Sequence, residues 1–164
     1  GLHAALEAAR TLDIAAPEIA EIVVRTHPRW MSVCNQPAPE TGLGAKFSYA
    51  TVLAMRAVGY DTAKLNSYDD AVCADPRVQD IRNRVLVQAD ATLTETQAAV
   101  TALRRDGARR EATHDLLTPM RRAEREDRVR AKAASLIGPD LAARAWEMLR
   151  QGGSATGFAA LMHD

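Results

Sequence analysis

Asp106-Gly107 stands between two runs that alternate in polarity, Ala98 to Arg104 and Ala108 to Thr113. A type I′ turn needs positive φ at both central residues, and an Asp-Gly pair meets that demand at low cost. The dipeptide therefore commits this part of the chain to a β-hairpin. An isolated hairpin is marginal in water, so its apolar face needs further strands or a layer of helices. Further strands are present. Ile19 to Arg25 places Ala20, Ile22 and Val24 on one face and Glu21, Val23 and Arg25 on the other, and Val85 to Ala89 reads VLVQA. The expectation is an α+β fold, a small antiparallel sheet with helices packed on one side as a two-layer domain.

The helices announce themselves by spacing and by caps. Leu2, Leu6, Ala9 and Leu12 fit a short amphipathic helix that ends near Asp13 and Pro17. Asp75-Pro76 places an acid at the N-cap and proline at the first helical position, and Val78, Ile81 and Val85 follow as the buried stripe of a short helix that runs into the VLVQA strand. Asp61 to Asp70 reads as a loop with a short helical turn. Only 4% of the chain is aromatic, so alanine and the aliphatic side chains must build the core.

Composition changes after Thr118-Pro119, a second cap-plus-proline pair. Residues 1 to 116 are therefore read as the α+β domain and residues 117 to 164 as a C-terminal helical segment. Its first helix, MRRAEREDRVRAKAASLI, has sparse apolar anchors and many arginines, but Glu124, Glu126 and Asp127 supply i,i+4 partners. That favours a solvated, salt-bridged face over a nucleic-acid surface, and the formal net charge of zero points the same way. Gly138-Pro139 breaks the run. Leu141, Ala145, Met148 and Leu149 mark a second helix, and Gly152-Gly153-Ser154 precedes a last one through Phe158, Leu161 and Met162. No apolar stretch approaches the length of a membrane span. Cys34 and Cys73 read as reduced thiols of a cytoplasmic protein, with no metal-ligand spacing around them; a disulfide between them is the alternative that the sequence leaves open.

The stretch Pro39 to Gly59, PETGLGAKFSYATVLAMRAVG, carries the chemistry. Thr41, Gly42 and Gly44 form a flexible approach, and from Ala45 onward the apolar pattern predicts one helix, buried nearly all round and stopped by Gly59. Lys46 and Ser48 fall in its first turn. Free backbone N–H groups and the helix dipole favour an anion there, and a lysine reinforces them. The alternative is that Lys46 reaches solvent and Ser48 bonds back into its own turn. Motifs for hydrolases, metalloproteases, phosphate loops and dinucleotide binding are missing, and the four histidines are scattered.

Taken in order, Thr41-Gly-Leu-Gly-Ala-Lys-Phe-Ser48, a mostly apolar helix, Asp75-Pro-Arg-Val78, a strand at Arg84-Val85 and LRRDG at Leu103 to Gly107 form a distinctive series. It resembles the C-terminal portion of the MmgE/PrpD family, which includes 2-methylcitrate dehydratase and cis-aconitate decarboxylase. His3-Ala-Ala-Leu-Glu-Ala8 is similar to the histidine-led helix before that family's first lid strand, and Lys132 through Gly138 to its closing helices. The resemblance covers essentially all 164 residues. It implies a lid domain, residues 1 to 116, that closes over a larger helical domain, with helices from residue 117 onward packing on that domain.

What the resemblance implies for chemistry is a dehydratase-type lyase that uses no metal or organic cofactor and acts on small di- or tricarboxylic acids. The principal acid and base groups are expected upstream of Gly1, so the catalytic residues are not among those read here. Lys46 and Ser48 gain weight as substrate-binding residues, and His3 and Met31 fall where the lid faces the cleft. Gly44 replaces the usual acidic residue of the TGLEAKFS pattern, and Met31 stands where the decarboxylase carries tyrosine. Those departures make cis-aconitate decarboxylation the least expected member activity. The other readings are an epimerase or isomerase of an amino- or imino-dicarboxylate, and a non-catalytic interaction module that keeps the lid fold. The expected partners are a small carboxylic acid and a second copy of the chain, the latter as a homodimer or by self-association through the C-terminal helices; neither nucleic acid nor a membrane is expected.

Overall fold

A computed structural model describes residues 1–12 and 15–163, which form two compact units. The first comprises Gly1–Thr62 and Asn66–Thr118; the second comprises Ala63–Leu65 and the chain from Pro119 onward.

In the first unit the elements run α1 (Leu2–Leu12), β1 (Ile19–Thr26), α2 (Gly42–Ala45), α3 (Tyr49–Ala57), α4 (Asp70–Ala74), α5 (Pro76–Arg82), β2 (Val85–Ala89), β3 (Gln97–Arg104) and β4 (Arg109–Asp115). The four strands form one sheet in the order β2-β1-β3-β4. The α+β class is as expected, but the sheet is mixed, not antiparallel throughout. β1 pairs with β3, and β3 with β4, in antiparallel fashion, whereas β2 lies parallel to β1 with Ile22 opposite Val85 and Thr26 opposite Ala89. The connection between β1 and β2 explains this. It carries α2 to α5 along the sheet and returns the chain to the starting end, which is the route a parallel pair requires.

The hairpin forms at the expected place by a different turn. Arg104 N donates to Ala108 O at 2.8 Å and Gly107 N to Arg104 O at 3.0 Å, which encloses three residues instead of two. Gly107 alone needs to supply the left-handed position, with φ of 85°, while the Asp106 carboxylate accepts from Ala108 N at 2.9 Å. This is the three-residue solution with a glycine bulge.

One face of the sheet makes the core. Ile22, Val24 and Thr26 of β1 and Ala98, Val100 and Ala102 of β3 are buried. A register shift between Ile19 and Glu21 also turns Ile19 inward, so Ala20 is not part of the buried face. The buried stripe of α1 is Ala4, Ala5, Ala8 and Leu12, rotated from the expected Leu2, Leu6, Ala9 and Leu12. Alanines of α1 meeting alanines of β3 let the helix approach the sheet closely, which is how a core poor in aromatics fills its volume. The expected end of α1 near Asp13 falls outside the described residues.

The helix expected to run unbroken from Ala45 to Gly59 is two helices. Thr41 caps α2, its hydroxyl accepting from Gly44 N at 3.1 Å, and Ser48 caps α3, accepting from Thr51 N at 3.1 Å. Ser48 adopts an extended conformation, φ −125° and ψ 108°, so the chain turns at Lys46 to Ser48. α3 itself is buried from Tyr49 to Met55.

In the second unit α6 (Arg122–Ile137), α7 (Pro139–Arg150) and α8 (Ala155–His163) follow one another. α6 starts at Arg122 with Arg121 at its N-cap, not at Thr118-Pro119, and no side chain caps it. Its acids pair as their spacing implies, Glu124 with Arg128 at 3.1 Å and Glu126 with Arg130 at 3.7 Å. Gly138, with φ of 87°, reverses the chain into α7, which buries Ala142 and Ala145.

Candidate functional site

The rim of the first unit gathers where β1 ends. Beyond Thr26 the chain makes a 3-10 turn, Pro28–Met31, started by His27, whose Nδ1 accepts from Arg29 N at 3.2 Å. Trp30 Nε1 donates to Glu95 O at 2.8 Å, and Arg29 meets both carboxylate oxygens of Glu95 at 3.1 and 3.0 Å. These contacts fasten the turn to the segment before β3. The Arg29–Glu95 pair is well exposed, so its worth is no more than about 1 kcal/mol.

The return path is equally tied. Tyr49 N donates to Cys34 O at 3.0 Å and Gln36 N to Phe47 O at 3.1 Å, and Asn35 bridges to Ser48. Tyr49 then reaches back to β1. Its hydroxyl lies 2.9 Å from Thr26 Oγ1, and both residues are fully buried. Burial pushes the phenol up to about 12, with the Thr26 hydrogen bond opposing the shift. Gly1 sits on the same pair of rings: a Cβ there would lie 2.2 Å from Tyr49 Oη and 2.5 Å from Trp30 Cδ1.

Against this frame the sequence-derived candidates take definite places. His3 is exposed on the first turn of α1, two residues from the contact of Gly1 with Trp30 and Tyr49. Met31 is half-buried beside Trp30 on the 3-10 turn. Lys46 is exposed at the α2–α3 turn, with its ammonium 5.6 Å from the centre of the Tyr68 ring. It has no ion-pair partner among the described residues. Leu43 and Phe47 beside it are exposed at 68% and 41%, an apolar lip next to the ammonium. Ser48 is fully buried: its hydroxyl donates to Thr51 Oγ1 at 2.9 Å while capping α3, so its one hydrogen is in use.

The rim thus brings His3 and Met31 toward the Trp30 side, and Lys46 toward Tyr68. The paired segments 34–36 and 47–49 run between them. Among the described residues no hydrogen bond, ion pair or ring contact joins Lys46 to His3 or Met31.

Glu95, Thr26 and Tyr49 do not stand out in the sequence. Glu95 lies in a polar loop, and Thr26 and Tyr49 read as ordinary members of a strand and a helix. A second polar cluster lies under Lys46's neighbours: Asp70 Oδ1 accepts from Gly42 N at 2.8 Å, and Cys73 Sγ donates to Thr41 O at 3.4 Å. Cys34 and Cys73 are free thiols, both raised above their ordinary value chiefly by burial. Among the described residues no group of three His, Cys, Asp or Glu side chains could hold a metal ion, and no helix is long and apolar enough to cross a membrane.

At the α2–α3 turn an exposed ammonium over the Tyr68 ring, without an ion-pair partner among the described residues and beside an apolar lip, has the chemistry to bind a carboxylate; the exposed His3 imidazole is not part of that cluster. Compared with known proteins, the chain matches the MmgE/PrpD C-terminal domain over residues 1–151. No curated protein matches it significantly.

Proposed function

Because the chain belongs to the MmgE/PrpD family, as that family's C-terminal domain, we propose that it forms the substrate-covering part of a longer, cofactor-independent lyase of the dehydratase type. The substrate class is small di- or tricarboxylic acids. In the reaction a base removes a proton from the carbon next to a carboxylate, and a hydroxyl leaves with a proton as water. Negative charge develops on that carboxylate as the proton departs, and a cation held against it lowers the barrier. Lys46 supplies that cation from its side chain alone, because the backbone N–H groups of Ala45 to Tyr49 are all engaged by carbonyls within the chain. His3 and Met31, on the Trp30 side of the rim, are assigned to the face the lid turns toward the substrate, and Ser48 holds the turn in shape. The acid and base groups that move the proton belong to the helical part of the full enzyme.

The observation that carries this reading is the exposed Lys46 ammonium, which has no anionic partner among the described residues and sits on an apolar lip. The test is turnover of citrate-like and aconitate-like acids by the full-length protein, followed by ultraviolet absorbance of the unsaturated acid. Lys46→Ala should lower kcat/KM roughly ten- to a hundredfold, the equivalent of one charge-assisted hydrogen bond, and Lys46→Arg should recover part of it. Unchanged kinetics in Lys46→Ala would remove Lys46 from the site. Absence of any turnover, with exchange of a substrate C–H for solvent deuterium, would replace the lyase by an isomerase.

A further inference from the structure

The α2–α3 turn is seated on the segment that begins α4. Asp70 Oδ1 accepts from Gly42 N at 2.8 Å, and Cys73 Sγ donates to Thr41 O at 3.4 Å. The Tyr68 carbonyl lies so close to Gly42 that a Cβ on that glycine would be 2.2 Å from its oxygen. Asp69 caps α4, its Oδ1 accepting from Val72 N at 2.8 Å. The backbone of Tyr68 is therefore fixed against the turn. Its side chain is fixed as well, because the ring is half-buried and the hydroxyl donates to Thr62 O at 2.9 Å.

This places an anchored aromatic face next to a long, flexible side chain. The Lys46 ammonium lies 5.6 Å from the centre of the Tyr68 ring, within the range at which a ring quadrupole attracts a cation. The chemistry of that neighbour matters. A carboxylate in its place would engage the N–H donors of Lys46 and cancel its charge. A ring face attracts the ammonium and leaves both the charge and donors open to an arriving anion.

A lysine stem that is free in solution must be ordered when it binds, and that ordering costs affinity. A ring that already holds the ammonium reduces the cost. Given the carboxylate-binding role proposed for Lys46, we infer that Tyr68 is a positioning residue, whose ring holds the Lys46 ammonium beside the α2–α3 turn and so raises the affinity of that turn for a carboxylate. The hydroxyl only anchors the ring, so phenylalanine serves nearly as well.

The test is calorimetric binding of tricarballylate, a small tricarboxylic acid with no hydroxyl to lose, to the full-length protein. Tyr68→Leu keeps apolar volume but removes the ring, and it should weaken binding roughly two- to tenfold. Tyr68→Phe should stay within about twofold of the parent. In a Lys46→Ala background Tyr68→Leu should change nothing further, because the ring acts through the ammonium. Circular dichroism of each variant reports that the fold persists. An equal loss from Tyr68→Leu in both backgrounds is the mark of a merely structural role and overturns the inference, while Lys46 keeps its assignment. Full affinity in Tyr68→Leu, or a loss in Tyr68→Phe as large as in Tyr68→Leu, has the same consequence. Unchanged binding by Lys46→Ala, or no binding by the parent, overturns the carboxylate reading of the turn and the role of Tyr68 with it.

Discussion

Thr26 Oγ1 and Tyr49 Oη lie 2.9 Å apart with both residues fully buried, so the last residue of β1 and the first of α3 are joined by one hydrogen bond inside the core. A pair of this kind has an asymmetric mutational signature. Tyr49→Phe strands the Thr26 hydroxyl and should cost about 1–3 kcal/mol in urea-induced unfolding. Thr26→Val strands the phenol to a similar extent. In the double variant neither polar group is left unpaired, so its loss should be clearly smaller than the sum of the two singles. Additive losses would show that the contact contributes nothing beyond the volume it fills.

The same phenol predicts an alkaline transition. Its folded-state value of about 12 lies above the ordinary 10.0, so the folded protein resists deprotonation more than the unfolded chain does. That preference stabilises the fold fully below pH 10 and disappears as the pH rises through about 12. Alkaline unfolding followed by circular dichroism should therefore begin above pH 10 in the parent, and Tyr49→Phe should lose the component that tracks phenol ionisation at long-wavelength ultraviolet.

At the acid end the relevant group is Asp75. The Arg77 side chain, followed by its backbone N–H and the Tyr60 hydroxyl, holds the carboxyl well below its ordinary 3.8, against the opposing effect of desolvation. A depressed value contributes stability that is present above 3.8 and lost as the pH falls further. Asparagine caps a helix as well as aspartate does, so Asp75→Asn removes the charge and keeps the cap. The variant should be less stable than the parent at neutral pH, and the gap should close in acid. A gap independent of pH would assign the effect to geometry alone.

Gly42 tests the α2 turn. A Cβ there would lie 2.2 Å from the Tyr68 carbonyl oxygen and 2.5 Å from its carbonyl carbon. Both are backbone atoms that cannot swing aside. Gly42→Ala should cost about 1–3 kcal/mol through enforced displacement, and, on the proposed role of Lys46, it should also weaken carboxylate binding by moving that turn. A fully stable variant would show that the Tyr68 segment yields easily.

Much of this architecture could be read in advance, and the failures share a cause. The hairpin, the Asp75-Pro76 helix start and the buried character of the 49–55 helix all depend on signals within a few residues of one another. The direction of β2 does not. It is set by where α5 delivers the chain after a long crossover, and VLVQA looks the same in either orientation. The break at Lys46 was hidden because the apolar period runs on through Phe47 and Tyr49, while the deciding interactions are two caps and a bridge to Asn35 from a distant loop. The rotated stripe of α1 has a similar origin: alanine carries little periodic signal, yet closeness to β3 selects it over Leu2 and Leu6. Around the rim, Lys46 stands out in the sequence as a candidate, whereas the contacts of Trp30, Glu95 and Tyr49 exist only in the folded chain.

The path from Thr26 to Val85 has a kinetic consequence. β1 and β2 are immediate neighbours in the sheet, yet everything from the 3-10 turn to α5 lies between them in the chain. Closing so long a loop costs entropy that is recovered only when both strands are in register. The β3–β4 hairpin closes over three residues and needs no such wait. Folding is therefore expected to start at the far edge of the sheet, with the rim that carries Lys46 assembled last, inside the slowest loop to close. Substitutions in the rim should accelerate unfolding while leaving the folding rate nearly unchanged.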